Sequence, residues 1–87
     1  MTIRVEFFGL ARTRATVASV DLDASNLRGV VGLLSDQFPD LSSACFDDGE
    51  LGNGWVFNIN GRTFVSDLDI QLNDNDSVLL MSADVGG

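Results

Sequence analysis

The 87 residues suffice for one small domain, with too little chain to wall a deep pocket on all sides. Such a domain buries only about 60–65% of its unfolded surface, so it is suited to acting with a partner. Thirteen acidic residues against five basic ones give a net charge of −8, which argues against direct nucleic-acid binding and suits a basic protein partner.

At 45% apolar and 21% charged residues the composition is globular. The absence of His removes the commonest general base and the Ser-His and Cys-His dyads. One cysteine, Cys45, leaves no thiolate cluster for zinc and no internal disulfide, which fits a reducing compartment. The longest apolar run, Val78-Leu79-Leu80-Met81, is far short of a bilayer span, and no apolar stretch of signal-peptide length follows the N-terminus. These features point to a cytoplasmic protein with no membrane contact. All five basic residues are Arg. The lack of Lys would spare an activated C-terminal acyl group from internal amines, or it follows from compositional bias.

Along the chain, Ile3 to Phe8 alternates as a half-buried strand with Ile3, Val5 and Phe7 on one face. Gly9 to Arg14 reads as a turn. Ala15 to Leu22 reads as a second strand that closes a hairpin. Asn26 is a good N-cap for a helix carrying Leu27, Val30, Val31, Leu34 and Phe38 on one face. Gly29 and Gly32 weaken this helix by up to about 1 kcal/mol each, and they leave room for close packing on a sheet. Pro39 stops it.

Leu41 to Gly54 is acidic and turn-rich and reads as a loop with at most a short helical turn. Trp55 to Ile59 is the third strand, with Phe57 and Ile59 on one face and Trp55 against the core. Asn60-Gly61 signals a tight hairpin into a short strand over Arg62 to Ser66. Asn73 to Asp76 is another turn, and Ser77 to Ala83 is the last strand. The order expected is β-β-α-β-β-β, with one helix and one mixed sheet in two layers. Residues 1–83 form the domain, and 84–87 form a flexible tail.

Four segments resemble the MoaD/ThiS family of β-grasp sulfur carriers, most of all its MoaD branch. Val5-Glu6-Phe7-Phe8-Gly9-Leu10-Ala11-Arg12 is similar to the family's opening Phe-Phe/Ala-x-Leu-Arg pattern. Leu27 to Val31 running to Phe38-Pro39-Asp40-Leu41 is similar to its helix ending in Tyr/Phe-Pro-x-Leu. Phe57-Asn58-Ile59-Asn60-Gly61 resembles its Val-Asn-Gly turn. Leu72 through Asp76-Ser77-Val78 to Gly86-Gly87 resembles its Leu-x-x-Gly-Asp-x-Val strand and terminal di-glycine. Asn75-Asp76 replaces the family's Gly-Asp, and Ser82-Ala83 replaces a frequent Pro-Pro.

The resemblance implies an α+β, β-grasp (ubiquitin-like) fold: a mixed sheet of four to five strands packed on one helix. It implies a carrier rather than an enzyme, with no bound cofactor. An activating enzyme of the MoeB/ThiF type would use ATP and Mg²⁺ to adenylate the carboxylate of Gly87, and sulfur would then replace AMP. The tail would enter a MoaE-like large subunit of molybdopterin synthase and donate sulfur to a pterin precursor. Carriers for thiamin or cysteine biosynthesis are alternatives within the class. A non-covalent ubiquitin-like interaction module is an alternative outside it.

Elementary chemistry agrees. Ala83 to Gly87 extended spans about 17 Å, enough to thread a narrow channel. Gly86 and Gly87 lack a Cβ that would crowd the reacting centre.

In such a sheet one face covers the helix. Outward positions on the first and last strands are Arg4, Glu6, Phe8, Leu79 and Met81. Parallel pairing of those strands would join Phe8 and Met81 near the tail root, with Val56 and Asn58 extending the face. The expected partner-binding set is Phe8, Leu79, Met81, Val56, Asp84 and Val85, an apolar patch rimmed by charge. Phe7, Val5, Val20, Leu22, Leu34, Phe57, Ile59, Val78 and Leu80 belong to the core. Cys45 is read as an incidental thiol, with Asp47 and Asp48 raising its pKa. Asp67-Leu68-Asp69 and Asn73 to Asp76 lack calcium-loop spacing and are read as turns that satisfy backbone groups, so no metal site is expected.

Overall fold

A computed structural model describes residues 2–83. Strand β1 (Thr2–Phe7) buries Ile3, Val5 and Phe7 and exposes the residues between, as its period predicts. The chain then departs from expectation. Gly9 to Arg14 is not a plain turn, because Leu10–Ala15 forms helix α1. Gly9 (φ 62°, ψ −127°) makes the break from strand to helix, in a region that penalises any Cβ. Ala11 and Ala15, four apart, are buried, while Thr16 (φ 65°) closes the helix by donating its N–H to Arg12 O at 2.9 Å. The second strand therefore starts later, as β2 (Ser19–Asp23), antiparallel to β1 with Val5 opposite Val20.

Asn26 caps helix α2 (Leu27–Gln37), its Oδ1 accepting the Gly29 N–H at 2.8 Å. Leu27, Val30, Val31 and Leu34 are fully buried. Pro39 ends this helix and also opens another, α3 (Pro39–Cys45), because proline's fixed φ suits the first helical turn. The region expected to be a loop thus holds a helix. It also holds a two-residue hairpin, β3 (Phe46–Asp47) with β4 (Glu50–Leu51), turned at Asp48 (φ 51°) and Gly49 (φ 80°). Gly29 and Gly32 do not serve sheet packing. A Cβ on Gly32 would meet nothing within 4 Å, and one on Gly29 would press on Asn26 Oδ1 at 3.3 Å.

Strand β5 (Trp55–Ile59) turns through Asn60 (φ 56°) and Gly61 (φ 70°), closed by Arg62 N–H to Ile59 O at 3.0 Å, into β6 (Thr63–Val65). The chain returns past the start of α2, where Arg28 N–H donates to Leu68 O at 2.8 Å, and enters β7 (Ser77–Ser82). The sheet order is β2-β1-β7-β5-β6. β7 lies at the centre, parallel to β1 and antiparallel to β5. Ile3, Val5, Phe57, Val78 and Leu80 share one core cluster with α2, Ala11, Leu41, Leu68 and Leu72, and Trp55 and Ile59 pack against it as expected. Phe7 and Phe38 meet edge to face, their centroids 5.8 Å apart.

The Asp/Asn-rich turns satisfy backbone and amide groups. Asp74 Oδ1 accepts Thr2 N–H at 2.7 Å, and Asp76 accepts the Asn60 amide at 3.0 Å and Asn73 N–H at 2.8 Å. Those bonds, the Asn60 one first, hold the Asp76 carboxyl below its ordinary range. The stability it contributes is present above the ordinary carboxylate pKa and is lost as pH falls through the lowered one. Asn75 (φ 71°) takes the left-handed conformation for which glycine is the usual residue. Arg28 bridges Asp69 and Glu50, both at 2.9 Å, on an exposed surface where such pairs contribute little.

The glycine contrast is testable. Gly32→Ala is expected to raise the unfolding free energy in urea by about 0.5–1 kcal/mol. Gly29→Ala should gain less or lose, because its methyl disturbs the Asn26 cap.

Candidate functional site

The sheet face away from the core is built by strand register. Met81 lies opposite Val56, and Leu79 lies between Glu6 on β1 and Asn58 on β5. Phe8 follows β1 and donates its N–H to Leu80 O at 3.2 Å, which sets it beside Met81. The expected meeting of Phe8, Met81 and Val56 in one row, with Leu79 in the next, is what the backbone produces. Where β7 ends, Ala83 N–H donates to Gly54 O at 2.8 Å, fixing that end of the strand beside the same row.

The exposure of these residues is uneven. Phe8 is 50% exposed, while Leu79 and Val56 are half-buried. Met81 is only 8% exposed, which corrects its reading as an open contact. It sits on the central strand with neighbours on both sides, and it is buried without joining the core cluster. Its role on this face is to support Phe8 and Val56. Gly86, Gly87, Asp84 and Val85, named from the sequence, lie outside the described residues.

Sequence reasoning missed Phe64, which is 55% exposed and lies opposite Asn58 on the outer strand. The signal was present: Val65 faces Phe57 in the core register, so Phe64 must face outward. Leu10, also exposed, begins α1 just after Phe8. Around Leu79 the face sinks into a shallow depression of about 470 Å³, with Glu6, Asn58, Asn60 and Ser77 on its lining.

Cys45 does not belong to this site. It is fully buried in the core, and that burial pushes its thiol from 9.0 up to about 11, with Arg14 opposing. The cause is burial rather than Asp47 and Asp48. Among the described residues, no group of three or more His, Cys, Asp or Glu is placed to hold a metal ion, and no helix is long and apolar enough to cross a membrane.

No family model matches the sequence, and no curated protein matches it significantly. Solved structures do match. The solution structure of small archaeal modifier protein 1 from Methanosarcina acetivorans aligns with a TM-score of 0.83 at 23% identity, over 99% of this chain and 96% of that one. A chain of the BexX/CysO complex from Amycolatopsis orientalis aligns at 0.78 and 14% identity, over 93% and 94% of the two chains. A chain of the complex of subunits 1 and 2 of molybdopterin-converting factor from Helicobacter pylori aligns at 0.62 and 19% identity, over 94% and 93%. The fold is a β-grasp. It is the architecture the motifs implied, with two helices and a small hairpin added to the expected outline.

The buried thiol yields a prediction. Cys45 in the folded protein should resist alkylation that the unfolded chain undergoes readily. Above pH 9 the unfolded thiol ionises first, so the folded state binds more protons and stability falls as pH rises from 9.0 towards about 11. Urea melts at successive pH values, with Cys45→Ala as reference, measure this.

Proposed function

We propose that this chain is a ubiquitin-like sulfur carrier whose reacting group is the carboxylate of Gly87. The observation that carries the reading is where β7 leads: it occupies the sheet centre, ends beside the Phe8–Met81–Val56 row, and is followed in sequence by Asp84-Val85-Gly86-Gly87. A partner seated on that row would have the chain end within reach of its own active site. Two of the solved structures with this fold are protein complexes, of CysO with BexX and of subunit 1 with subunit 2 of molybdopterin-converting factor.

The chemistry proceeds in two substitutions. The Gly87 carboxylate attacks the α-phosphorus of ATP within an activating partner of the MoeB/ThiF type, Mg²⁺ neutralising the phosphates, and pyrophosphate leaves. Hydrosulfide then attacks the acyl carbon, the C–O bond to AMP breaks and AMP leaves, and loss of the S–H proton gives the thiocarboxylate. This is covalent group carrying, in which a poor electrophile is made reactive and its product becomes a good nucleophile. The body has no His to serve as a general base. It positions and presents, so the chain takes part in catalysis only as the sulfur-donating subunit of a complex. Delivery to a pterin precursor through a MoaE-like subunit is the recipient the MoaD-like motifs favour. Sulfur transfer for thiamin or cysteine biosynthesis is the alternative within the class.

Two variants test this. One residue added after Gly87 should abolish ATP–pyrophosphate exchange with the activating enzyme while leaving Tm unchanged. A non-covalent docking module would be indifferent to it. Phe8→Ser should lower kcat/KM for activation by about tenfold at unchanged Tm, because the side chain is half exposed and acts through contact.

A further inference from the structure

Resting on the reading of this face as a partner surface, we propose that the depression around Leu79 is a socket for an arginine or lysine side chain of the partner protein. Three observations converge on it. Asn58 is only 6% exposed, yet none of the described side-chain hydrogen bonds involves its amide. No buried side-chain nitrogen or oxygen among the described residues lacks a partner, so the polar atoms of this amide reach solvent through the depression and are open to an incoming group. Asn58 lines the depression, so a group seated there can hydrogen-bond to it.

The second observation is charge. Glu6 lines the opposite side of the same depression and forms no ion pair among the described residues. Its neighbour on that face, Arg4, is turned to Asp21 at 3.7 Å. The whole chain is acidic, so a cation gains from the surrounding field as well as from Glu6.

The third is spacing. Leu79 separates Glu6 from Asn58, one strand on each side. Two strand spacings put them about 10 Å apart, with an apolar floor between. A lysine or arginine matches that profile, since its aliphatic stem lies on apolar surface while its charged head reaches beyond. In this arrangement the partner's peptide group pairs with the Asn58 amide, the stem crosses Leu79, and the cation meets the Glu6 carboxylate. Phe64 lies across from Asn58 on the outer strand and is itself exposed. The apolar row nearer the chain end would supply contact area, and this socket would select the partner.

The test needs neither ATP nor an activating enzyme, so its outcome is separate from that of sulfur carriage. Isotope-labelled protein is titrated by NMR with N-acetyl-arginine N-methylamide and with the neutral citrulline analogue. The expected result is saturable shifts at the Asn58 side-chain amide, Leu79 and Glu6, with citrulline binding about tenfold more weakly. Glu6→Gln should reduce arginine to the citrulline level, and Asn58→Ala should weaken both. The same shifts are expected in the chain extended beyond Gly87. Shifts spread over Asp21, Asp47 and Asp48 without saturation, or arginine binding unchanged in Glu6→Gln and Asn58→Ala, would overturn the proposal.

Discussion

The parallel ladder between β1 and β7 holds the rest of the molecule in place. It joins the two ends of the described chain at the centre of the sheet, so that Val5 meets Val78 and Phe7 meets Leu80 in the core. Because the register of a strand decides which side chains face inward, the same pairing turns Glu6, Leu79 and Met81 to the other face. One constraint therefore specifies both the core and the candidate surface. A one-residue slip of β1 would bury Glu6, and one of β7 would expose Val78. The Asp74 and Asp76 hydrogen bonds pin the start of β7 against Thr2 and Asn60, where such a slip would have to begin.

The open face is graded along β7. At the end nearest Ala83 it is apolar, with Phe8, Met81 and Val56 in one row. One row further back it turns polar around Leu79, with Glu6 and Asn58 on the flanks. The chain has no His, and its thiol is sealed in the core. The division of labour we propose follows from that poverty. The body recognises, and the chemistry is done by partners on a group that carries no side chain.

The alternation in β1, the capped stripe of α2 and the Asn60-Gly61 turn were legible because each is a local pattern with a local physical cause. The sheet's outward set was legible once the two end strands were paired. What escaped was context. Helix α1 is a single and a half turns long, too short for a periodic signal, and depends on burying Ala11 and Ala15. Pro39 carries two meanings, stop and start, and only the packing of Leu41 and Cys45 selects the second. Met81 reads as outward by parity, and outward it is, but parity does not report how closely its neighbours crowd it. Phe64 was overlooked because the short strand β6 was not assigned faces.

The central claim is that the acyl carbon of Gly87 carries sulfur. It is tested most directly by the intact mass of the protein after incubation with an activating enzyme, ATP and a sulfur source. The account predicts replacement of one oxygen by one sulfur, localised to the terminal glycine by fragmentation. An unchanged mass under conditions in which the enzyme activates its established carrier, or sulfur found on Cys45 instead, would contradict it.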